Sequence, residues 1–159
     1  MKFYSNSPEE TQALGSRMGA LANKGELFLL SGELGSGKTT FVQGFAWGAG
    51  VEGYAHSPTF ILVNQYQGRI KINHVDLYRV EGGNLEAHDL GFEEMLDESS
   101  VLVEWYENAE AIFDDDHIRI EFYQGVNGSD SRVIEVKAKG HYYEQWIVTL
   151  TQKVFPNEK

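Results

Sequence analysis

The 159-residue chain has no cysteine, which excludes disulfides and thiol chemistry and is compatible with a reducing compartment. Positive charge is scarce: 13 Lys and Arg stand against 24 Asp and Glu, a formal net charge of -11. Such a surface repels polyanions, so a role in a nucleic-acid pathway would leave the nucleic acid to another protein. No apolar run approaches the roughly 20 residues of a membrane span, and Met1-Lys2-Phe3-Tyr4-Ser5-Asn6-Ser7 lacks the apolar core of a signal peptide. The expectation is a cytoplasmic protein with no membrane association. Low-complexity segments, internal repeats and linkers are absent too, and 42% hydrophobic residues suit one globular domain over residues 1–159.

What is present centres on Gly32-Glu33-Leu34-Gly35-Ser36-Gly37-Lys38-Thr39, which fits the phosphate-loop pattern G-x-x-x-x-G-K-[ST]. Glycines let successive amide N–H groups curl around a phosphate chain. Lys38 adds a charge for the β and γ phosphates, and the Thr39 hydroxyl offers a ligand to Mg²⁺. Glu26 to Ser31 reads as a buried strand and Lys38 to Trp47 as a helix. Strand, loop and helix in that order is the context the motif requires, and the helix brings its positive end to the phosphates.

Around this unit the spacing predicts an edge strand over 2–5 and a helix from an N-cap at Ser7 to about Ala22, with Leu14, Met18 and Leu21 on its apolar face. Phe60 to Tyr66 and Ile70 to Val75 form a hairpin that turns at Gln67-Gly68-Arg69, and the second strand delivers Asp76. From Gly82-Gly83 to Leu96 the pattern is helical only in pieces, with Leu85, Leu90, Phe92, Met95 and Leu96 as anchors. Val101-Leu102-Val103 is apolar without alternation, as in a parallel strand covered on both faces, and Glu104 emerges at its end. Ile118 to Tyr123 and Arg132 to Val136 form a second hairpin, and a final helix covers 142–154 with Tyr142, Trp146 and Leu150 as its core stripe.

Asp76 and Glu104 are the two acids placed to serve a metal, each with a solvated strand-end carboxylate as the alternative. Thr59, in Ser57-Pro58-Thr59, stands where a switch threonine would sense a γ phosphate, or simply follows a turn. Trp105 and His74 read first as packing residues; proximity to nucleotide and orientation of a neighbour are the respective alternatives. Arg79 is a possible phosphate contact. Two further absences narrow the class. Without Asn-Lys-x-Asp, guanine recognition is disfavoured and adenine is left. Five arginines, Arg17, Arg69, Arg79, Arg119 and Arg132, form no cluster in sequence, so the arginine-rich lid of a small kinase is missing.

In order and spacing, Gly32 to Thr39, Ser57-Pro58-Thr59-Phe60, His74-Val75-Asp76-Leu77-Tyr78-Arg79, Leu90-Gly91-Phe92-Glu93-Glu94 and Val103-Glu104-Trp105 resemble the TsaE proteins. These are YjeE-like small bacterial ATPases of tRNA threonylcarbamoyladenosine synthesis. The resemblance runs from Glu26 to Glu107 and leaves the final helix aside; Tyr106 stands where the family often carries Pro or Ala. It implies an α/β P-loop fold, a mostly parallel sheet with antiparallel hairpin extensions flanked by helices. It also implies ATP and Mg²⁺ as cofactors, Lys38, Asp76 and Glu104 as catalytic residues, and Thr39, Glu104 and Asp76 as metal-side residues. The nucleotide contacts would be Gly32, Glu33, Leu34, Gly35, Ser36, Gly37, Lys38, Thr39 and Thr40, with Thr59 and Trp105. The implied partners are the TsaB and TsaD heterodimer, where TsaD transfers the threonylcarbamoyl group, with tRNA engaged only indirectly. Slow hydrolysis without partners is expected, because no arginine finger is evident. A small-molecule or nucleotide kinase and a non-catalytic nucleotide-sensing module remain as alternatives.

Overall fold

The computed structural model describes residues 1–55, 62–80 and 89–154. Seven strands form one mixed sheet: β1 (Lys2–Ser5), β2 (Leu27–Ser31), β3 (Val63–Gln67), β4 (Lys71–Asp76), β5 (Ser100–Glu104), β6 (His117–Gln124) and β7 (Arg132–Lys139). Their order is β1-β7-β6-β2-β5-β4-β3. The central run β6-β2-β5-β4 is parallel, and both edges are antiparallel, β3 on β4 and β1-β7 on β6. The expected parallel centre with hairpin extensions is what forms.

Apolar continuity explains the centre. In β2, Phe28 and Leu30 face one core while Leu27 and Leu29 face the other; in β5, Leu102 joins the first and Val101 and Val103 the second. Strands with period-two side chains and no polar face must be covered twice. Helices α1 (Pro8–Leu21), α2 (Lys38–Gly48) and α4 (His141–Val154) cover the first face. Helix α3 (Phe92–Glu98) and a 3-10 segment, Tyr106–Ile112, cover the second. Phe28 is fully buried and meets Phe45 and Trp146 edge-on, with ring centroids 5.0 and 5.6 Å away. Burying one such ring is worth about 1.5–3 kcal/mol, so this triple contact fixes α2 and α4 to the sheet.

Local signals act as read. The Ser7 Oγ accepts from Glu10 N at 3.2 Å, and the Glu10 carboxylate accepts from Asn6 N at 2.7 Å, closing the start of α1 from both sides. At its other end the Arg69 guanidinium donates to the carbonyls of Gly19, Ala20 and Ala22, a cation on the negative end of the helix. One reading needs correction. Tyr142 is half-exposed and Tyr143 is buried with Trp146 and Leu150: both tyrosines keep helical spacing to that pair, and the stripe runs i, i+3, i+7 from Tyr143. Phe60, Leu85 and Gly82-Gly83 lie outside the described residues.

Helices α1 and α2 approach unusually closely through glycines at four-residue spacing, Gly15 and Gly19 on one and Gly44 and Gly48 on the other. A Cβ on Gly19 would fall 1.9 Å from the Phe45 carbonyl oxygen, and one on Gly48 would fall 2.0 Å from that of Ser16. Backbone therefore packs on backbone. This seam seats α2, and with it the phosphate loop.

Candidate functional site

The loop between β2 and α2 is built on glycine conformations. Gly32 has φ 152° and Gly37 φ 105°. A side chain at Gly32 would also meet Ser36 Oγ at 2.6 Å and Phe122 at 3.0 Å. Gly37 is the N-cap of α2 and gives it no side-chain cap, so the helix's positive end has no side-chain acceptor. The buried Ser36 Oγ has no partner either.

Lys38 opens α2 and turns back under the loop, where its ammonium donates to the carbonyls of Gly32 and Glu33, the latter at 3.2 Å. It also sits 4.2 Å from the centre of the Trp105 ring. Burial pulls the Lys38 ammonium below the usual lysine range, while Glu104, Glu107 and Asp76 act the other way. Trp105 reaches this position from a left-handed backbone, φ 58°, an uncommon conformation for a bulky residue, and packs on Tyr78 with ring centroids 5.0 Å apart.

The acids arrive through sheet register. Asp76 and Glu104 are paired residues at the carboxyl ends of the parallel strands β4 and β5. Because Leu102 faces the α2 side, Glu104, two residues on, faces it too. The Glu104 Oε1 lies 3.5 Å from the Thr39 hydroxyl, and its Oε2 lies 2.5 Å from His74 Nε2. Asp76, also buried, accepts from Tyr78 N at 2.8 Å through Oδ1. Among the described residues no cluster of three or more His, Cys, Asp or Glu side chains could cage a metal ion. A cation beside Thr39, Glu104 and Asp76, which line one cavity, would therefore need phosphate and water among its ligands, the usual manner of Mg²⁺.

Leu34 to Thr39, Asp76, Tyr78, Glu104 and Trp105 line one cavity of about 150 Å³. Gly32 and Glu33 meet it only through Lys38; Thr40 and the exposed Arg79 do not line it. Thr59 lies outside the described residues. A larger hollow of about 570 Å³ runs along α4, but no carboxylate or lysine lines it. Size is therefore no guide to the site.

Two contacts complete the site, the first only an alternative in sequence and the second not legible there. His74, read first as structural, holds the Glu104 carboxylate; its position two residues before Asp76, on the same strand face, was the available signal. Arg132 donates to the loop carbonyls of Ser36 and Gly35 at 2.8 and 3.0 Å. No local pattern announces a contact across 96 residues.

Comparison with known proteins agrees with the motifs. Residues 5–134 match the family model described as threonylcarbamoyl adenosine biosynthesis protein TsaE. A Bacillus subtilis protein named tRNA threonylcarbamoyladenosine biosynthesis protein TsaE is 37% identical over 91% of this chain and 89% of its own. A Streptomyces coelicolor protein of the same name is 36% identical over 84% of this chain and 91% of its own. The crystal structure of Bacillus subtilis YdiB superposes with a TM-score of 0.80 and 31% identity, covering 96% of this chain and 95% of that one.

Proposed function

The chain belongs to the TsaE family, and on that premise we propose that it is an Mg-dependent ATPase serving tRNA threonylcarbamoyladenosine synthesis. The observation that carries the reading is the meeting of the Thr39 hydroxyl and the Glu104 carboxylate, 3.5 Å apart, beside the loop that Lys38 closes. An octahedral cation with ~2.1 Å bonds holds neighbouring ligand oxygens ~3 Å apart, so a small closure brings both onto it. The partnerless Ser36 hydroxyl, the uncapped start of α2 and the glycine loop fit the phosphates.

Lys38 exchanges the Gly32 and Glu33 carbonyls for phosphate oxygens. Bound Mg²⁺ supplies charge neutralisation at the β and γ phosphates. Glu104, oriented by His74, faces Thr39 with one oxygen and would hold the cation with it; Asp76, its register partner, shapes the turn to Tyr78 and adds a second carboxylate at the same edge. Trp105 walls the cavity on the Lys38 side. No arginine lines the cavity among the described residues, which fits slow turnover in isolation. The partners proposed are TsaB and TsaD, with tRNA held by them, in keeping with a net charge of -11, and the compartment proposed is the cytoplasm. Among the described residues no helix is long and apolar enough to cross a membrane.

The test is ATP hydrolysis by the purified protein, alone and with a TsaB–TsaD pair. Stimulation that vanishes in Lys38→Ala supports both site and pathway. Turnover that the pair leaves unchanged would keep the ATPase and reject the partnership. Consumption of ATP only with an added small-molecule acceptor would make the protein a kinase.

A further inference from the structure

We propose that Arg132 is a positioning residue that braces the outer side of the phosphate loop and couples it to the β6–β7 turn; the proposal rests on the nucleotide site described above. All five donors of a guanidinium lie in one planar fork. Here Nε donates to Ser36 O at 2.8 Å and Nη2 to Gly35 O at 3.0 Å. Nη1 serves the turn, donating to Ser131 O at 2.8 Å, Ser129 O at 2.5 Å and Gln124 Oε1 at 3.2 Å. One side chain thus ties two loop carbonyls to a turn whose own strand, β7, is anchored on β6 and β1.

The direction of these contacts matters. Every peptide bond described is trans, so C=O and N–H point opposite ways across each plane. Pulling the Gly35 and Ser36 carbonyls toward Arg132 turns the N–H groups of Ser36 and Gly37 away from it, and that of Ser36 closes a turn on Glu33 O at 3.0 Å. The carbonyl dipoles are at the same time held off any anion in the loop.

Lys38 and Arg132 hold different halves of the loop in different ways. The Lys38 contacts to Gly32 and Glu33 compete with phosphate, since the same ammonium must serve both. The Arg132 contacts do not compete, because they lie on carbonyls rather than on amides. When Lys38 turns to a nucleotide, Arg132 is the tether that stays. Glu33, Leu34 and Gly35 are exposed, so little packing would replace it.

The experiment compares Arg132→Lys and Arg132→Gln with the wild type by titration with a fluorescent ATP analogue, and by amide hydrogen exchange of the nucleotide-free protein. Lys137→Gln, on the same strand and paired with Glu121 at 3.0 Å, controls for loss of one positive charge. Both Arg132 variants are expected to bind nucleotide on the order of 10-fold more weakly. Exchange at Ser36 to Lys38 should quicken by about the same factor while the β2 and β5 amides stay protected. Millimolar guanidinium should partly restore binding to Arg132→Gln, and Lys137→Gln should bind as the wild type does. Wild-type affinity and wild-type loop exchange in both Arg132 variants would overturn the proposal. If instead the wild type binds no nucleotide, or Lys38→Ala binds as tightly, the ATP-site reading itself fails. Should Arg132→Gln not fold, Arg132→Lys alone decides, with its melting temperature as the check.

Discussion

His74 Nε2 lies 2.5 Å from Glu104 Oε2, and both side chains are buried, His74 completely. The contact fixes which carboxylate oxygen is left for Thr39. The other ring nitrogen, Nδ1, is buried without a partner among the described residues, so the contact to Glu104 is the ring's one hydrogen bond there. Replacing His74 by Phe leaves the carboxylate unheld, and outer-sphere partners of this kind are typically worth 10–100-fold in metal affinity or activity. His74→Phe should raise the Mg²⁺ concentration for half-maximal ATP turnover at least ~10-fold while leaving Mg-free nucleotide binding nearly unchanged. His74→Gln, which keeps a donor, should recover part of the loss. A magnesium titration equal to that of the wild type in both variants would assign His74 to packing alone.

Another buried acid lies at the opposite end of β2. Glu26 accepts from Tyr142 OH at 2.5 Å and from Asn23 N at 2.6 Å. Burial nonetheless raises its carboxyl above the ordinary 4.5, with both hydrogen bonds acting against the rise. The same contact pushes the Tyr142 hydroxyl up to about 12. The folded state therefore keeps a proton that the unfolded chain has released. Stability falls as pH rises from about 4.5 through the folded value, and the cost persists at neutral pH. Glu26→Gln should lose this slope, so urea denaturation across pH 4 to 8 should show variant-minus-wild-type stability growing with pH and then levelling. A difference independent of pH would contradict the assignment.

The glycine seam between α1 and α2 predicts a stability effect opposite to helix propensity. Ala is normally better than Gly in a helix by about 1 kcal/mol. At Gly19 the added methyl would meet the Phe45 backbone at 1.9 Å, and only separation of the helices relieves it. Gly19→Ala should cost about 2 kcal/mol or more in urea unfolding and, by displacing α2, weaken nucleotide binding. Stabilisation would show that the helices are free to move apart.

Much of this architecture was legible because the signals are local. Unbroken apolar runs at Leu27 to Leu30 and Val101 to Val103 announced doubly covered strands, and the Gly32 to Thr39 pattern announced its own strand and helix. What escaped depends on pairing at a distance. The neighbouring positions of Asp76 and Glu104 follow from β4–β5 register, which neither strand encodes alone. Gly15, Gly19, Gly44 and Gly48 weaken their helices by propensity and show their purpose only when the helices meet. Arg132 looked isolated in a chain with few arginines, since its partners are 96 residues away. Tyr142 and Tyr143 both keep helical spacing to Trp146 and Leu150, and only the packing of α4 on the sheet decides that Tyr143 is the buried one.

The central claim, an Mg-ATP hydrolysing site formed by the phosphate loop and Glu104, is tested most directly by measuring nucleotide binding and turnover together. The wild type should bind ATP and hydrolyse it in a magnesium-dependent way. Lys38→Ala should lose tight binding. Glu104→Gln should bind ATP within a few-fold of the wild type yet hydrolyse it ~100-fold more slowly, as expected when a group acting at the reacting centre is removed. Hydrolysis by Glu104→Gln at the wild-type rate, or unchanged binding by Lys38→Ala, would contradict the claim.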